Sequence, residues 1–502
     1  MNSYDYIVIG GGTAGCVLAA RLSADPLATV LLIEAGAAAA PAEAAQPPAW
    51  MTLIGGDADW RDTTAPQAAA GRLAYPRGRV LGGSSAINAM MHLRGHRAGY
   101  DAWIKAGAPG WGYEDLLPYF QRSERAERRD PSVRGASGPM QVSPASPGHP
   151  IARAFIEAAV QAGHPASEDL NGRDQAGAGW VDLNVIGGLR QSVADGYLRP
   201  VLGRPNLTVA TGGQALRLTI ENDRCTGVRY PHHGRLTEAR AEREVVLCAG
   251  TIGSPHLLML SGIGPGDELS ELGIEVHADA PEVGENLQDH PMTPIIFEVS
   301  RPAPPGPNNN IEAIVALSTG LSGELPDVQL FAGTLPTNPP GLPQPENGFG
   351  IGVAVTAPHS RGRLRLRSPA PEVAPLIDPA LLADARDEIA LDFGLQAART
   401  IAAAPALADW GSIEIFPGGL AGADETGRRA FLRHAVTHYF HPVGTCRLGS
   451  DPSSVVDLEL RVRGIDGLRV ADASVMPSIP TANTNATVLA IAERAADLIA
   501  GR

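Results

Sequence analysis

"YDYIVIGGGTAGCVLAARLSADPLATVLLIEAG", Tyr4 to Gly36, decides the fold. Tyr6 to Ile9 is a short apolar run, and Gly10 to Gly15 follows as a tight turn. Small and apolar residues from Thr13 to Ser23 then predict a helix, and Thr29 to Ile33 predicts a second strand ending on Glu34. Gly10, Gly12 and Gly15 satisfy G-x-G-x-x-G. The first permits the turn, the second lets backbone approach a pyrophosphate, and the third lets helix pack closely on strand. The helix start then offers free N–H groups, with Thr13 and Ala14 in its first turn, to a phosphate. Glu34 stands 34 − 10 = 24 positions after Gly10. Its carboxylate can accept from both hydroxyls of an adenosine ribose and would repel the extra phosphate of NADP. The pattern leaves FAD and NAD both open.

Length and composition narrow the class. A chain of 502 residues exceeds one small core, so two domains or a composite one are expected. The 58 glycines and 43 prolines read as many tight turns. A net charge of -14 argues against nucleic acid or an anionic membrane surface as partner. Cys16, Cys225, Cys248 and Cys446 form no C-x-x-C pair and read as reduced thiols of a cytoplasmic protein. No secretion signal or membrane insertion is expected.

Further along, "NLTVATGGQALRLTIENDRCTGVRY", Asn206 to Tyr230, alternates like paired strands joined at Asn222-Asp223. "REVVLCAG", Arg243 to Gly250, is a continuous apolar run suited to a buried parallel strand. "DVQLFAG", "GIGVAVTAP" and "GRLRLRS" read as antiparallel strands, and the proline tracts Pro302–Pro307 and Pro336–Pro345 as loops rimming a site.

His441, between Phe440 and Pro442, raises a sharper question. His434, His438 and His441 fall at i, i+4 and i+7, yet no Glu follows His434 and Pro442 ends any helix. No metal is therefore expected. No G-x-S-x-G elbow supplies a nucleophile for a serine hydrolase. A neutral imidazole can instead take a proton near ambient pH.

"YPRGRVLGGSSAINAMMHLRG", Tyr75 to Gly95, is dense in glycine, serine and basic residues, as a second cofactor cradle would be. This stretch resembles the first signature of the glucose-methanol-choline (GMC) oxidoreductases. "GTIGSPHLLMLSGIG" from Gly250 is similar to the second signature. "VGENLQDHP", "SRGRLRLRS", "FHPVGTCRLG" and "VADASVMPSIPTANTNATVLAIAERAADLIAG" resemble further family segments, so the likeness covers the whole chain.

The resemblance implies an α/β fold in which a Rossmann-like FAD-binding domain is interleaved with a substrate domain built on an antiparallel sheet with helices. The expected FAD segments are 1–145, 200–292 and 432–502, and the substrate segments are 146–199 and 293–431. It implies FAD held by Gly10, Gly12, Thr13, Ala14, Gly15, Glu34, Ala35, Arg79, Val80, Gly83, Ser84, Asn88, Ala89, Met90, Met91, Ala215, Asp472, Ala473 and Thr484. Asp472 is expected to meet a hydroxyl rather than a phosphate. Ile87 stands where some relatives carry a histidine bonded to flavin, so FAD is expected to be non-covalent. His92, a departure from the family, is expected at the edge of the flavin site.

By the same resemblance His441 is the base, Phe440 lines the substrate pocket, and Asn485 is the second catalytic residue. An asparagine amide can orient the substrate oxygen without competing for its proton. Asn485 also precedes an amphipathic helix, Ala486 to Ala500, whose positive end would favour charge on reduced flavin. The alternative for Asn483 and Asn485 is plain helix capping. The implied reaction is oxidation of a primary alcohol, aryl or furfuryl in type, by hydride transfer to flavin N5. O2 or another acceptor would take the electrons. A choline dehydrogenase-like enzyme and a non-redox lyase cleaving cyanohydrins are the alternatives.

Overall fold

The computed structural model describes residues 2–232, 234–335, 345–422 and 424–501. The expected loop Pro336–Pro345 therefore lies, but for its last residue, outside the described residues. The opening stretch folds as β1 (Asn2–Ile9), α1 (Thr13–Leu22) and β2 (Val30–Ile33). Ile7, Val8, Leu31 and Leu32 are essentially inaccessible, because this parallel pair is covered on both faces. Removing each such side chain from water stabilises the fold by about 1.5–3 kcal/mol.

Around β1 runs a sheet in the order Leu207–Ala210, β2, β1, Arg235–Leu247, Arg224–His232, Arg217–Glu221. The strand Arg235–Leu247 changes character along its length. Its first half alternates core and solvent and pairs antiparallel with Arg224–His232. Its apolar end, Val245–Leu247, lies parallel between β1 and Leu468–Val470. Asn222 and Asp223 both take positive φ, 51° and 58°, as a two-residue hairpin turn requires.

A second sheet is antiparallel, in the order Ile413–Phe416, Pro291–Glu298, Gly348–Val355, Val328–Gly333, Ile311–Leu317, Gly177–Trp180. Thr437–His438 pairs with Pro291 and Met292 at one end, so the segment leading to His441 is tied to this sheet. Side chains alternate across each strand. Phe349, Ile351 and Val353 pack backwards with Leu391, Leu395 and Ala398 of the helix Ala385–Ala402 and with Phe155 of the helix Pro150–Gln161. Gly350, Gly352 and Phe331 face forward, onto a cavity. "GRLRLRS" contributes the strand Arg363–Arg365, which pairs with Leu376–Asp378 outside this sheet.

The last helix, Asn485–Ala500, lies against α1 through small residues, and Ala486, Ala490, Ala492 and Ala496 are buried. It starts one residue earlier than the sequence predicts. No helix among the described residues is long and apolar enough to cross a membrane.

Candidate active site

A cavity of about 800 Å³ lies between the glycine turn and the forward face of the second sheet. Of the residues singled out in the sequence, Gly10, Gly12, Thr13, Ala14, Glu34, Ala35, Arg79, Gly83, Ser84, Asn88, Ala89, Met90, Met91 and Ala215 line it. Phe440, His441, Asp472, Ala473, Thr484 and Asn485 line it as well.

Gly15 and Val80 do not. Gly15 sits inside the helix–strand contact, where an added Cβ would fall 1.8 Å from the Gly10 carbonyl oxygen. Val80 is packed among Ala44, Leu53, Ala58, Ala86 and Ile87, behind the wall. Both shape the site without facing it.

The cradle fits a dinucleotide. At Gly12 an added Cβ would meet nothing nearer than Gly83 Cα at 3.9 Å, so backbone is open to the cavity there. Gly10 takes φ +103°, and its missing side chain lets the turn lie on Cys248. Three helices, α1, Gly250–Leu260 and Asn485–Ala500, begin at this cavity. The starts of the first and last are joined by Thr13 Oγ1 donating to Asn485 Oδ1 at 2.7 Å. Glu34 accepts the N–H of Gly11 at 2.8 Å and of Gly36 at 2.7 Å, one on each oxygen. Each oxygen keeps a lone pair for a ribose hydroxyl. Burial pushes the Glu34 carboxyl up, against those two N–H groups.

Asp472 departs from expectation. Its Oδ2 accepts from Gly250 N–H at 2.9 Å and Ser254 Oγ at 2.5 Å, and its Oδ1 from Ser474 N–H and Oγ. With four donors already in place, the carboxylate secures the start of the helix Gly250–Leu260 rather than a cofactor hydroxyl. His92 also turns away from the cavity. It alternates with Met91 on a short strand and meets the buried Glu124 at 3.1 Å, inside an ionic cluster with Arg94 and Arg134.

His441 is 7% exposed, and its backbone is held from both sides. Phe440 takes φ +65°, uncommon for an aromatic residue. His438 Nδ1 accepts the Phe440 N–H at 3.2 Å, and Asp289 Oδ1 accepts the His441 N–H at 2.9 Å. Asp289 Oδ2 accepts the Tyr75 hydroxyl at 2.7 Å. The constraint visible in "YFHPVG" thus aims one imidazole.

The ring's protonation follows from its partners. His290 Nε2 lies 3.1 Å from the Pro480 carbonyl oxygen, which can only accept, so Nε2 carries hydrogen. Burial drives the His290 pKa down to about 3, so the ring is neutral and its Nδ1 is bare. That bare nitrogen accepts from His441 Nδ1 at 3.0 Å. Burial, with His290 and His438 adding to it, holds His441 well below its ordinary value of 6.5. Its Nε2 is therefore unprotonated, and its lone pair accepts a hydrogen bond from Asn483 Nδ2 at 3.1 Å.

Asn483, not Asn485, is thus the amide beside the base. Asn485 opens the helix and is held by Thr13, whereas Asn483 precedes the helix. Both asparagines line the cavity, but their partners differ, Asn483 meeting the base and Asn485 the first helix. Sequence reasoning also gave no role to His290 or to His256. The His256 Nε2 is buried without a partner, the residue lines the cavity, and burial lowers its pKa to about 4.

His434 bonds its own helix at Ala430, and His438 bonds Ala74. Among the described residues no three His, Cys, Asp or Glu side chains are grouped to hold a metal ion. The four cysteines are buried and free.

A family model described as GMC oxidoreductase matches residues 4–292, and a second of that description matches 358–492. The chain is 38% identical to human mitochondrial choline dehydrogenase, over 100% of this chain and 90% of that one. The structure of pyridoxine 4-oxidase from Mesorbium loti superposes with a TM-score of 0.95 at 36% identity, covering 99% of both chains. A fungal aryl-alcohol oxidase superposes at 0.88 with 25% identity, again over 99% of both. The chain belongs to the GMC oxidoreductase family and is an FAD-dependent oxidoreductase acting on CH–OH groups.

Proposed function

We propose that this enzyme oxidises primary alcohols borne on a flat ring, aryl or furfuryl in type, to aldehydes, with His441 as base. The observation that carries the reading is the unprotonated Nε2 of His441, set by the proton that its Nδ1 donates to His290. The alcohol hydroxyl gives its proton to Nε2, and the ring accepts it without turning. Asn483 Nδ2 yields Nε2 to the hydroxyl and donates instead to the substrate oxygen, which keeps lone pairs for it. FAD, when bound, supplies the acceptor for the hydride that leaves the alcohol carbon. Ile87, a hydrocarbon side chain on the cavity wall, supports non-covalent binding. Segments 1–145, 200–292 and 432–502 form the FAD-binding domain in this reading, and 146–199 and 293–431 the substrate-binding domain.

The ring preference rests on the sheet's forward face. Pro294, Gly352 and Phe331 form one row across three strands, and Ile296, Gly350 and Gly333 the next. Phe331 lies over Gly352, where a Cβ would be 2.0 Å from its ring, and stacks on Tyr439 at 5.0 Å and 9°. Beyond it the two glycines leave a flat floor between apolar walls, suited to a planar ring. The carboxylates among the described lining residues are Glu34, Asp62, Glu372 and Asp472. None belongs to this sheet face or to Tyr439–Pro442, so no carboxylate there would pair with a quaternary ammonium.

Choline is the second reading, favoured by the 38% identity to a choline dehydrogenase and by the aromatic Phe331, Tyr439 and Phe440, which can face a cation. Anaerobic visible absorbance separates the two. Benzyl and furfuryl alcohols should bleach the flavin, and choline should not. Bleaching by choline alone would replace the ring reading, and no bleaching by any alcohol would refute oxidation altogether. Readmitted air then distinguishes O2 from another electron acceptor.

A further inference from the structure

Arg190 is 8% exposed, and among the described residues no carboxylate lies within hydrogen-bond reach of its guanidinium. Its Nε donates to the Ala44 carbonyl at 2.6 Å. Its Nη1 donates to the Ser85 carbonyl at 3.2 Å and to Asn88 Oδ1 at 2.9 Å. Its Nη2 is buried with no partner. Asp195 acts on it only from a distance, being bonded itself to Ser192 and Arg199. Burial lowers the guanidinium pKa to about 10, which leaves it charged at neutral pH. A buried cation without a counter-ion is costly, so its retention calls for a reason.

The reason lies in what it touches. Ser85 and Asn88 belong to the second cradle, and both line the cavity. Asn88 Oδ1 also accepts the N–H of Met90, a residue with φ +58°. With its oxygen engaged by two donors, Asn88 is locked in one orientation, and its NH2 is the part of the amide left for the cavity. Ser85 Oγ is fixed as well, donating to Gly82 and accepting the Val193 N–H.

We propose that Arg190 is a positioning residue of the flavin site, which orients Asn88 toward the cofactor and sets an uncompensated positive charge behind the cradle. Reduction adds negative charge to a flavin, and a fixed cation nearby in a medium of low dielectric favours that form. Arg190 therefore raises the reduction potential and strengthens FAD binding through Asn88. This stands apart from the substrate assignment, because neither quantity requires an alcohol.

The test uses the full-length holoenzyme. Midpoint potentials are measured by equilibrium titration against a reference dye, and FAD dissociation constants by flavin fluorescence on reconstitution. Arg190→Met should shift the potential negative and raise the FAD dissociation constant at least tenfold. Arg190→Lys keeps the charge but not the fork. It should hold the potential near the parent's and still weaken FAD binding. Asn88→Ala should weaken FAD binding without a negative shift. An Arg190→Met holoenzyme with the parent's potential overturns the charge role. Parent-like FAD affinity in Arg190→Lys or Asn88→Ala overturns the positioning role, and these two variants decide it if Arg190→Met does not fold.

Discussion

The Nδ1 atoms of His290 and His441 face each other across 3.0 Å, so a single proton serves both neutral rings. Pro480, at the far edge of His290, decides which ring holds it. A carbonyl 39 positions beyond the base, 480 − 441, thereby sets which nitrogen of His441 is bare.

His441→Ala should slow anaerobic flavin reduction by about 10²–10⁴-fold while FAD stays bound, the range for loss of a general base. His290→Ala leaves the base in place but frees its ring, and about a 10²-fold loss is expected from misplacement. Stopped-flow absorbance at saturating alcohol measures both. A His290→Ala enzyme reducing at the parent rate would contradict the tautomer assignment.

Asn483 and Asn485 should separate cleanly. Asn483→Ala is expected to lower the reduction rate with FAD affinity kept. Asn485→Ala loses the bond to Thr13 and should weaken FAD binding and lower the melting temperature. Fluorescence titration with FAD beside stopped-flow rates distinguishes them, and the reverse pattern would restore Asn485 as the catalytic amide.

Acidity should act on rate and on stability in the same direction. His441 is active when neutral and titrates well below 6.5, so the reduction rate should be level from pH 6.5 upward and fall only in acid. For stability, His290 titrates at about 3 when folded and near its ordinary 6.5 when unfolded. Between those values the unfolded chain binds more protons, so stability is full above 6.5 and is lost as pH falls toward 3. Buried His438 and His441 add slopes of the same sign. Urea midpoints from pH 7 to pH 4 test this, and a midpoint that rises in acid would contradict it.

Gly350→Val should fill the flat floor. A Cβ there meets the movable Ile296 Cδ1 at 3.2 Å, so the fold should survive. The kcat/KM for naphthylmethanol should drop about tenfold or more, and that for furfuryl alcohol much less, since pocket methyl groups discriminate on that scale. Equal losses for both alcohols would place the ring elsewhere.

The glycine turn was legible because strand, turn and helix there obey local rules: α1 and β2 fall within a residue of their expected bounds, and β1 ends where expected though it starts four residues earlier. The sheet's forward face was partly legible, since the alternation in "GIGVAV" marks glycines on one side. The partners of the base were not. A histidine followed by proline occurs at His149, His164, His290 and His441, so nothing local distinguishes His290. The N-T-N run offers two similar amides, and only the position of the helix start separates them. The fates of Asp472 and His92 depended on side chains more than thirty residues away, Ser254 and Glu124, which no local pattern reveals.

The bond from Thr13 to Asn485 also bears on how the chain matures. It spans 472 positions, and β1 cannot pair on its inner side before residues 239–247 exist. The nascent chain therefore presents its glycine turn early but cannot close it. Leu468–Val470 and the helix Asn485–Ala500 are made more than 450 residues after the glycine turn, so the completed cradle must wait for them. Until residues 239–247 are made, the inner edge of the apolar first strand has no partner, and such an edge is a template for pairing with other chains.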